Sequence, residues 1–185
     1  MKLPLFIVIL AALVPSACRA APDATGPLPS AQLEAARRAK EFFERGDYRA
    51  AAKIYEGILA VVPNNLYSLT NLGVARFRSG KLQLAEEAIR RAINVAPNDA
   101  YSHMILGIIY YCQNRYDEAI APLKRAVELE PNNATAHNYL GCLYNTAGMV
   151  EEAAKEFEIA KKLDPKYGEG PAPAPPAKEL RIHEA

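Results

Sequence analysis

The residues that could do chemistry are scattered along this sequence and match no catalytic motif. Neighbouring acids occur at 86–87 and 151–152, and paired carboxylates are groups that general acid–base catalysis uses. Both pairs lie in segments with helical periodicity, where adjacent acids usually form a solvated face. The sequence contains no glycine-rich phosphate loop, zinc-protease motif or nucleophile elbow. We therefore predict that the protein is not an enzyme and needs no cofactor.

Two histidines, His103 and His137, stand 34 residues apart and raise the question of a metal site. Two ligands of one zinc ion must each lie ~2 Å from the metal. Helices that pack side by side are ~10 Å apart, so the same position of two neighbouring helices cannot supply both ligands. We predict that no metal is bound and that both imidazoles pack where their helices begin.

The spacing of the histidines belongs to a repeat of 34 residues that runs through most of the chain. Five columns recur at this period: prolines (Pro63, Pro97, Pro131, Pro165), alanines (Ala51, Ala85, Ala119, Ala153), leucines (Leu72, Leu106, Leu140), glycines (Gly73, Gly107, Gly141) and larger apolar residues (Tyr55, Ile89, Leu123, Phe157). Agreement between independent columns predicts tandem copies of one structural unit.

Each unit is predicted to be a pair of amphipathic helices, because its apolar residues recur at spacings of three and four. In the third unit the helices are expected over 101–112 and 117–129, with a turn at 113–115. Two such helices cannot bury their apolar faces alone, so each unit needs neighbours of its own kind.

The turns between the paired helices are marked by residues that tolerate a positive φ angle. Gly46, Gly80 and Gly148 occupy this place in three units, and Asn114 occupies it in the third unit. Pro122 lies inside a predicted helix, where we expect a local irregularity without loss of the unit.

The period and its leucine–glycine, alanine, aromatic and proline columns resemble the tetratricopeptide repeat (TPR) family. The resemblance covers residues 32–167 and places four copies at 32–65, 66–99, 100–133 and 134–167. It implies an all-α fold, a right-handed α-solenoid of four tetratricopeptide-like helix-turn-helix repeats.

The outermost helices carry charge where the inner repeats are apolar. Arg38 and Glu41 occupy such positions in the first repeat, and Lys161 does so in the last helix. Terminal repeats need a solvated outer face, because nothing stacks on them. We therefore expect the array to be complete at four repeats.

Residues 1–20 are predicted to be a secretory signal peptide, since Lys2 precedes a short apolar run and small residues follow. The run is shorter than the ~20 residues that span a bilayer. Two alternatives stay open. One is an uncleaved N-terminal anchor, and the other is a lipoprotein attached through Cys18, although Pro15 stands where the lipoprotein motif has leucine. We expect an exported protein, periplasmic or in the cell envelope.

A linker at 21–31 and a tail at 168–185 are predicted to flank the repeats. The linker is rich in proline, glycine and threonine, and Ser30 is expected to cap the first helix. The tail contains the run GEGPAPAPP, a composition typical of flexible or polyproline-like chain.

Cys112 and Cys142 are the cysteines that follow the predicted signal peptide. An oxidising compartment favours disulfides, but a bridge needs Cα atoms within ~7 Å. The two residues lie on the first helices of adjacent repeats, one turn out of register. Two free thiols are favoured, with a disulfide as the alternative.

The resemblance implies that the first helix of each repeat lines a concave groove that binds partners. By repeat position, the candidate groove residues are Lys40, Tyr67, Asn71, Val74, Phe77, Tyr101, Met104, Ile108, Tyr111, Asn138, Tyr139 and Asn145. Aromatic and methionine side chains offer adaptable apolar area, and asparagine can pair with a peptide backbone. Some family members clamp a C-terminal carboxylate, but this chain retains only Asn71 of that residue set, so we predict no such clamp.

We predict a non-catalytic protein–protein interaction scaffold or assembly factor that binds a partner peptide or helix in the groove. A self-associating, homodimerising element of an envelope complex is the alternative. The 22 basic and 21 acidic residues give a net charge of +1, which argues against nucleic acid as a partner. Membrane contact is expected only through an N-terminal lipid or anchor.

Overall fold

The computed structural model describes residues 28–167, and every regular element in that range is helical. The elements are α1 (Ser30–Glu44), α2 (Tyr48–Val61), α3 (Leu66–Arg78), α4 (Leu82–Val95), α5 (Ala100–Cys112), α6 (Tyr116–Leu129), α7 (Ala134–Thr146), α8 (Val150–Leu163) and a 3-10 helix (Pro165–Tyr167). Successive helices pair as hairpins, and neighbouring hairpins stack. The predicted all-α solenoid of helical repeats is confirmed.

The predicted signal peptide, the tail at 168–185 and most of the predicted linker lie outside the described residues. So does Cys18, the proposed site of lipidation. Within 28–167, none of the helices combines the length and the apolar character that a bilayer crossing requires.

The helix boundaries of the third repeat agree closely with the expected ones. The helices α5 and α6 each begin one residue earlier than predicted and end at the predicted residues. The four turn residues have positive φ angles, of 82° at Gly46, 79° at Gly80, 76° at Gly148 and 59° at Asn114, as predicted.

Side-chain caps fix the starts of three first helices. Asn65, Asp99 and Asn133 accept hydrogen bonds, at 2.9, 2.9 and 3.0 Å, from backbone N–H groups three residues later. The predicted cap at Ser30 is wrong. Ser30 is itself the first helical residue, because the carbonyl of Pro29 already accepts the first helical hydrogen bond.

Pro122 lies within α6, which nevertheless has 14 residues, like α2, α4 and α8. Proline has no backbone N–H, so the carbonyl four residues earlier, at Glu118, loses its helical donor. The repeat is retained, as predicted.

The first helices form the inner row of the solenoid. In the described part of the chain, α5 contacts α3 and α7, whereas no comparable contact joins second helices of neighbouring repeats. The closer approach on one side curves the stack towards that side. We call α1, α3, α5 and α7 the inner row, and α2, α4, α6 and α8 the outer row.

The two ends of the array are solvated at the predicted positions, since Arg38, Glu41 and Lys161 are exposed. After α8, the 3-10 helix returns to the inner row. Tyr167 is buried there, and its hydroxyl lies 2.9 Å from Oγ1 of Thr135 at the start of α7. Sequence reasoning did not foresee this contact.

Candidate protein-binding site

The inner row carries a line of tyrosines whose rings are partly exposed. Tyr67 lies at the start of α3, Tyr101 at the start of α5 and Tyr111 near its end, and all three are half-buried. Lys40 on α1 is also half-buried, and Asn145 near the end of α7 is exposed. These five predicted groove residues have surface that a partner can contact directly.

The remaining predicted groove residues are buried: Asn71, Val74, Phe77, Met104, Ile108, Asn138 and Tyr139. The helices α3, α5 and α7 each pack between two outer-row helices, and α5 also contacts the first helices on both sides. Most of their circumference is therefore covered, and their apolar side chains join a core that runs through the repeats. The prediction that these seven side chains form an open contact surface is wrong.

Asn138 stands out among the buried residues. Both its Oδ1 and its Nδ2 are buried, and neither has a hydrogen-bond partner among the described residues. Leaving a buried polar group unpaired costs about 1–3 kcal/mol. Asn138 has no exposed surface, so a partner docked on this structure does not reach the amide.

Tyr111 is part of an aromatic cluster where the third repeat meets the fourth. The Tyr111 ring centroid lies 5.5 Å from that of Tyr116 and 6.0 Å from that of Tyr139, the latter pair edge-to-face. Burial raises the pKa of the Tyr111 and Tyr101 phenols. Both hydroxyls are therefore neutral at physiological pH, and they offer hydrogen bonds without adding charge.

Arg78 on α3 is an inner-row residue that sequence reasoning missed. Its guanidinium lies 4.7 Å from the ring centroid of Tyr48 and 5.6 Å from that of Phe43, and it donates a hydrogen bond to the Tyr48 hydroxyl. Cation–π contacts of this kind tie the second repeat to the first. The sequence does carry a signal for this residue, since Arg78 is charged where later repeats have Cys112 and Thr146.

Comparison with known families identifies the fold. A model described as tetratricopeptide repeat matches residues 36–103, and one described as TPR repeat matches residues 107–148. Together the two matches span more than half of the chain. The chain belongs to the tetratricopeptide repeat family. No curated protein matches the sequence.

Solved TPR structures superpose on this chain over most of its repeats. MamA 41-end from Desulfovibrio magneticus RS-1 has a TM-score of 0.67 and 21% identity, over 73% of this chain and 76% of that chain. YrrB, described as a TPR protein with an unusual peptide-binding site, has a TM-score of 0.63 and 21% identity, over 73% and 70%. The first TPR of Spaghetti (RPAP3), bound to the HSP90 peptide SRMEEVD, has a TM-score of 0.61 and 26% identity, over 63% and 93%.

The two histidines of this TPR protein hold the starts of α5 and α7. Nε2 of His103 lies 2.9 Å from the carbonyl oxygen of Pro97, and Nε2 of His137 lies 2.9 Å from that of Pro131. Each imidazole therefore ties a first helix to the proline that ends the preceding repeat. Their predicted packing at the helix starts is confirmed.

Cys112 is exposed and Cys142 is buried, and no disulfide joins them. The disulfide alternative is thus not formed in this structure. Burial raises the pKa of both thiols, to about 11 for Cys142. Over residues 28–167, no three His, Cys, Asp or Glu side chains come together as a metal-binding group.

Glu86 on the outer row is less exposed than predicted. The side chain was predicted to lie on a solvated face, but only 16% of it is exposed. Its carboxylate accepts hydrogen bonds from Arg115 of the next repeat at 2.7 Å and from Arg90 at 3.1 Å. The second and third TPR units are thereby joined by an ion-pair network, which the spacing of acids in the sequence does not reveal.

Proposed function

We propose that this TPR protein is a non-catalytic interaction scaffold or assembly factor, and that a peptide or helix of a partner protein docks along its inner row. The observation that carries the proposal is the line of half-buried tyrosines, Tyr67, Tyr101 and Tyr111, on consecutive inner helices. Tyrosine combines a rigid apolar ring with a hydrogen-bonding hydroxyl, which suits it to interfaces.

Comparison with similar folds supports a peptide as the occupant. Among similar folds, YrrB is described as having a peptide-binding site and the RPAP3 repeat is bound to a peptide. A docked segment would be held mainly by apolar contact and hydrogen bonds, because Lys40 is the one ionic residue in the predicted groove set and the Arg78 guanidinium is engaged by Tyr48 and Phe43.

We also propose that the protein is exported to the cell envelope, on the strength of Lys2 and the apolar run that follows it. A lipid on Cys18 would add membrane attachment. Binding of an envelope partner would then take place outside the cytoplasm.

A second candidate function is self-association through the ends of the array. Apolar side chains are exposed at both ends, with Leu33 on α1 at 38%, and Ile159 and Leu163 on α8 each at 38%. A head-to-tail contact between two copies would cover these patches. Light scattering over a range of protein concentrations tests this candidate, since a mass that stays monomeric contradicts it.

The experiment for the inner row uses a partner captured from envelope extract, identified and purified. Calorimetric titration compares the wild type with Asn145→Arg, which places a bulky charge at the exposed end of the row. The matched control is Glu151→Arg, an exposed outer-row position. We expect the affinity for the partner to fall about ten-fold or more in Asn145→Arg and to stay unchanged in the control. The affinity of the wild type should depend only weakly on salt concentration. Equal affinities for the two variants would place the partner elsewhere.

A further inference from the structure

A cleft opens on the outer side of the solenoid, at the boundary between the second and third repeats. It has a volume of about 480 Å³ and lies between the outer-row helices α4 and α6, with α5 as its floor. Ile93, Leu106 and Pro122 give it an apolar base, and Arg90, His103 and Arg125 place nitrogen donors around it. This cleft is distinct from the inner row considered above.

The two arginines of the cleft have N–H groups left to donate to a bound ligand. Arg90 donates to Glu86 at 3.1 Å and to the hydroxyl of Tyr110 at 2.5 Å. Arg125 donates to Glu128 at 3.1 Å and to the side-chain oxygen of Asn98 at 2.8 Å. A guanidinium carries five N–H groups, so each arginine has donors beyond those used. Their side chains are 54% and 42% exposed, which leaves them accessible.

In the fourth repeat, the place that corresponds to this cleft is occupied by a glutamate of the chain itself. There, Nδ1 of His137 lies 2.6 Å from a carboxylate oxygen of Glu156, while Nε2 lies against the carbonyl of Pro131. The residue 34 positions before Glu156 is Pro122. His103 holds its proline carbonyl in the same way, but its own repeat supplies no carboxylate to Nδ1.

We propose that the outer cleft binds the carboxylate of a glutamate or aspartate side chain in an acidic segment of a partner protein. Arg90 and Arg125 supply charge-assisted hydrogen bonds from either side. The apolar base receives the methylene groups of the visiting side chain. The partner's carboxylate thus occupies the place that the Glu156 carboxylate occupies within the fourth repeat.

His103 lies beside this contact and can add a third hydrogen bond only when both ring nitrogens carry a proton. Nε2 must donate to the carbonyl of Pro97, which is an acceptor only, so Nδ1 needs a second proton to donate to a carboxylate. The other titratable groups that line the cleft are Arg90 on α4, Tyr110 on α5 and Arg125 on α6. Glu86 and Glu128 are already paired with the two arginines.

The test uses a fluorescein-labelled peptide of alternating glutamate and serine, and its counterpart with glutamine in place of glutamate. Polarisation is measured with the full chain near pH 6, where the peptide carboxylates are ionised. The glutamate peptide is expected to bind at least about ten-fold more tightly than the glutamine peptide, because the glutamine peptide cannot accept charge-assisted hydrogen bonds.

Three variants locate the contact. Pro122→Glu supplies the carboxylate from within the chain and removes a helix-interior proline, so it is expected to fold and to lose saturable binding. Arg125→Ala is expected to lose about five-fold or more in affinity. Lys124→Ala, an exposed neighbour on α6 outside the cleft, is expected to bind like the wild type. The proposal is overturned if Pro122→Glu binds undiminished, if both peptides bind alike, or if Lys124→Ala loses as much as Arg125→Ala.

Discussion

Gly107 on α5 and Leu123 on α6 are in direct contact, since a methyl group added to Gly107 would lie 2.4 Å from Cγ of Leu123. The same relationship recurs between Gly73 and Ile89 and between Gly141 and Phe157. The glycine column and the larger apolar column of the 34-residue repeat are therefore the two sides of one contact inside the second, third and fourth hairpins.

This contact gives a first prediction. Gly107→Ala is expected to lower the free energy of unfolding by about 1–3 kcal/mol, because Leu123 must move to admit the methyl group. Gly57→Ala is the control, since Gly57 is an exposed residue within α2 and a methyl there meets nothing within 4 Å. The control is expected to raise stability by about 0.4–1 kcal/mol. Urea unfolding measures both changes, and a destabilised control or a stabilised Gly107→Ala would contradict the contact.

Much of the fold could be predicted from the sequence, because each repeat places its own markers at fixed offsets. Helical periodicity defined the hairpins, and the turn residues Gly46, Gly80, Gly148 and Asn114 marked their positions. The start of α1 was less predictable. Ser30 has the chemistry of a cap, but Pro29 accepts the first helical hydrogen bond, a shift of one residue that composition does not show.

The candidate site was less predictable than the fold. Repeat position assigned Val74 and Ile108 to the inner row correctly, but their exposure depends on how neighbouring helices cover them, which one sequence does not encode locally. The outer cleft was missed for another reason. It arises because the third repeat has Pro122 where the fourth has Glu156. This position is not one of the five repeated columns.

The second prediction compares an internal residue with an end of the array. Leu106 on α5 is 9% exposed and Lys161 on α8 is exposed. Leu106→Ala is expected to cost about 2–5 kcal/mol. Lys161→Leu should change stability by less than about 0.5 kcal/mol, as at ordinary surface sites. Thermal unfolding at low protein concentration measures both, and effects of similar size would refute the assignment of α8 as a solvated end.

The third prediction concerns thiol reactivity. The thiolate is the reactive form, and burial raises the pKa of Cys142 to about 11, so at pH 8 only ~0.1% of this thiol is ionised. Cys112 is exposed and should be alkylated first by iodoacetamide. The rate at Cys142 should rise as the pH approaches 11. Mass spectrometry locates the label, and a guanidinium-unfolded sample is the control. Equal rates at the two sites in the folded protein would show that Cys142 is accessible.

The fourth prediction concerns export. If residues 1–20 are a cleaved signal peptide, N-terminal sequencing of the protein recovered from its host should begin near Ala21. A mature chain that begins with a lipid-modified Cys18 would support the lipoprotein alternative instead. An intact chain from Met1 in the cytoplasm would contradict export altogether.

The central claim is that a partner protein docks along the inner row, and photo-crosslinking in the host tests it most directly. A photoreactive benzoyl-phenylalanine replaces Tyr111, which keeps an aromatic ring at a half-buried inner-row site. The control places the same residue at Leu84, an outer-row side chain that is 41% exposed and lies outside the proposed cleft.

Illumination is predicted to join the Tyr111 variant covalently to a different protein chain of one defined mass, and to leave the Leu84 variant uncrosslinked. Mass spectrometry of the adduct identifies the partner. Crosslinks from Leu84 but not from Tyr111, or crosslinks from Tyr111 to a second copy of this chain alone, would contradict the account.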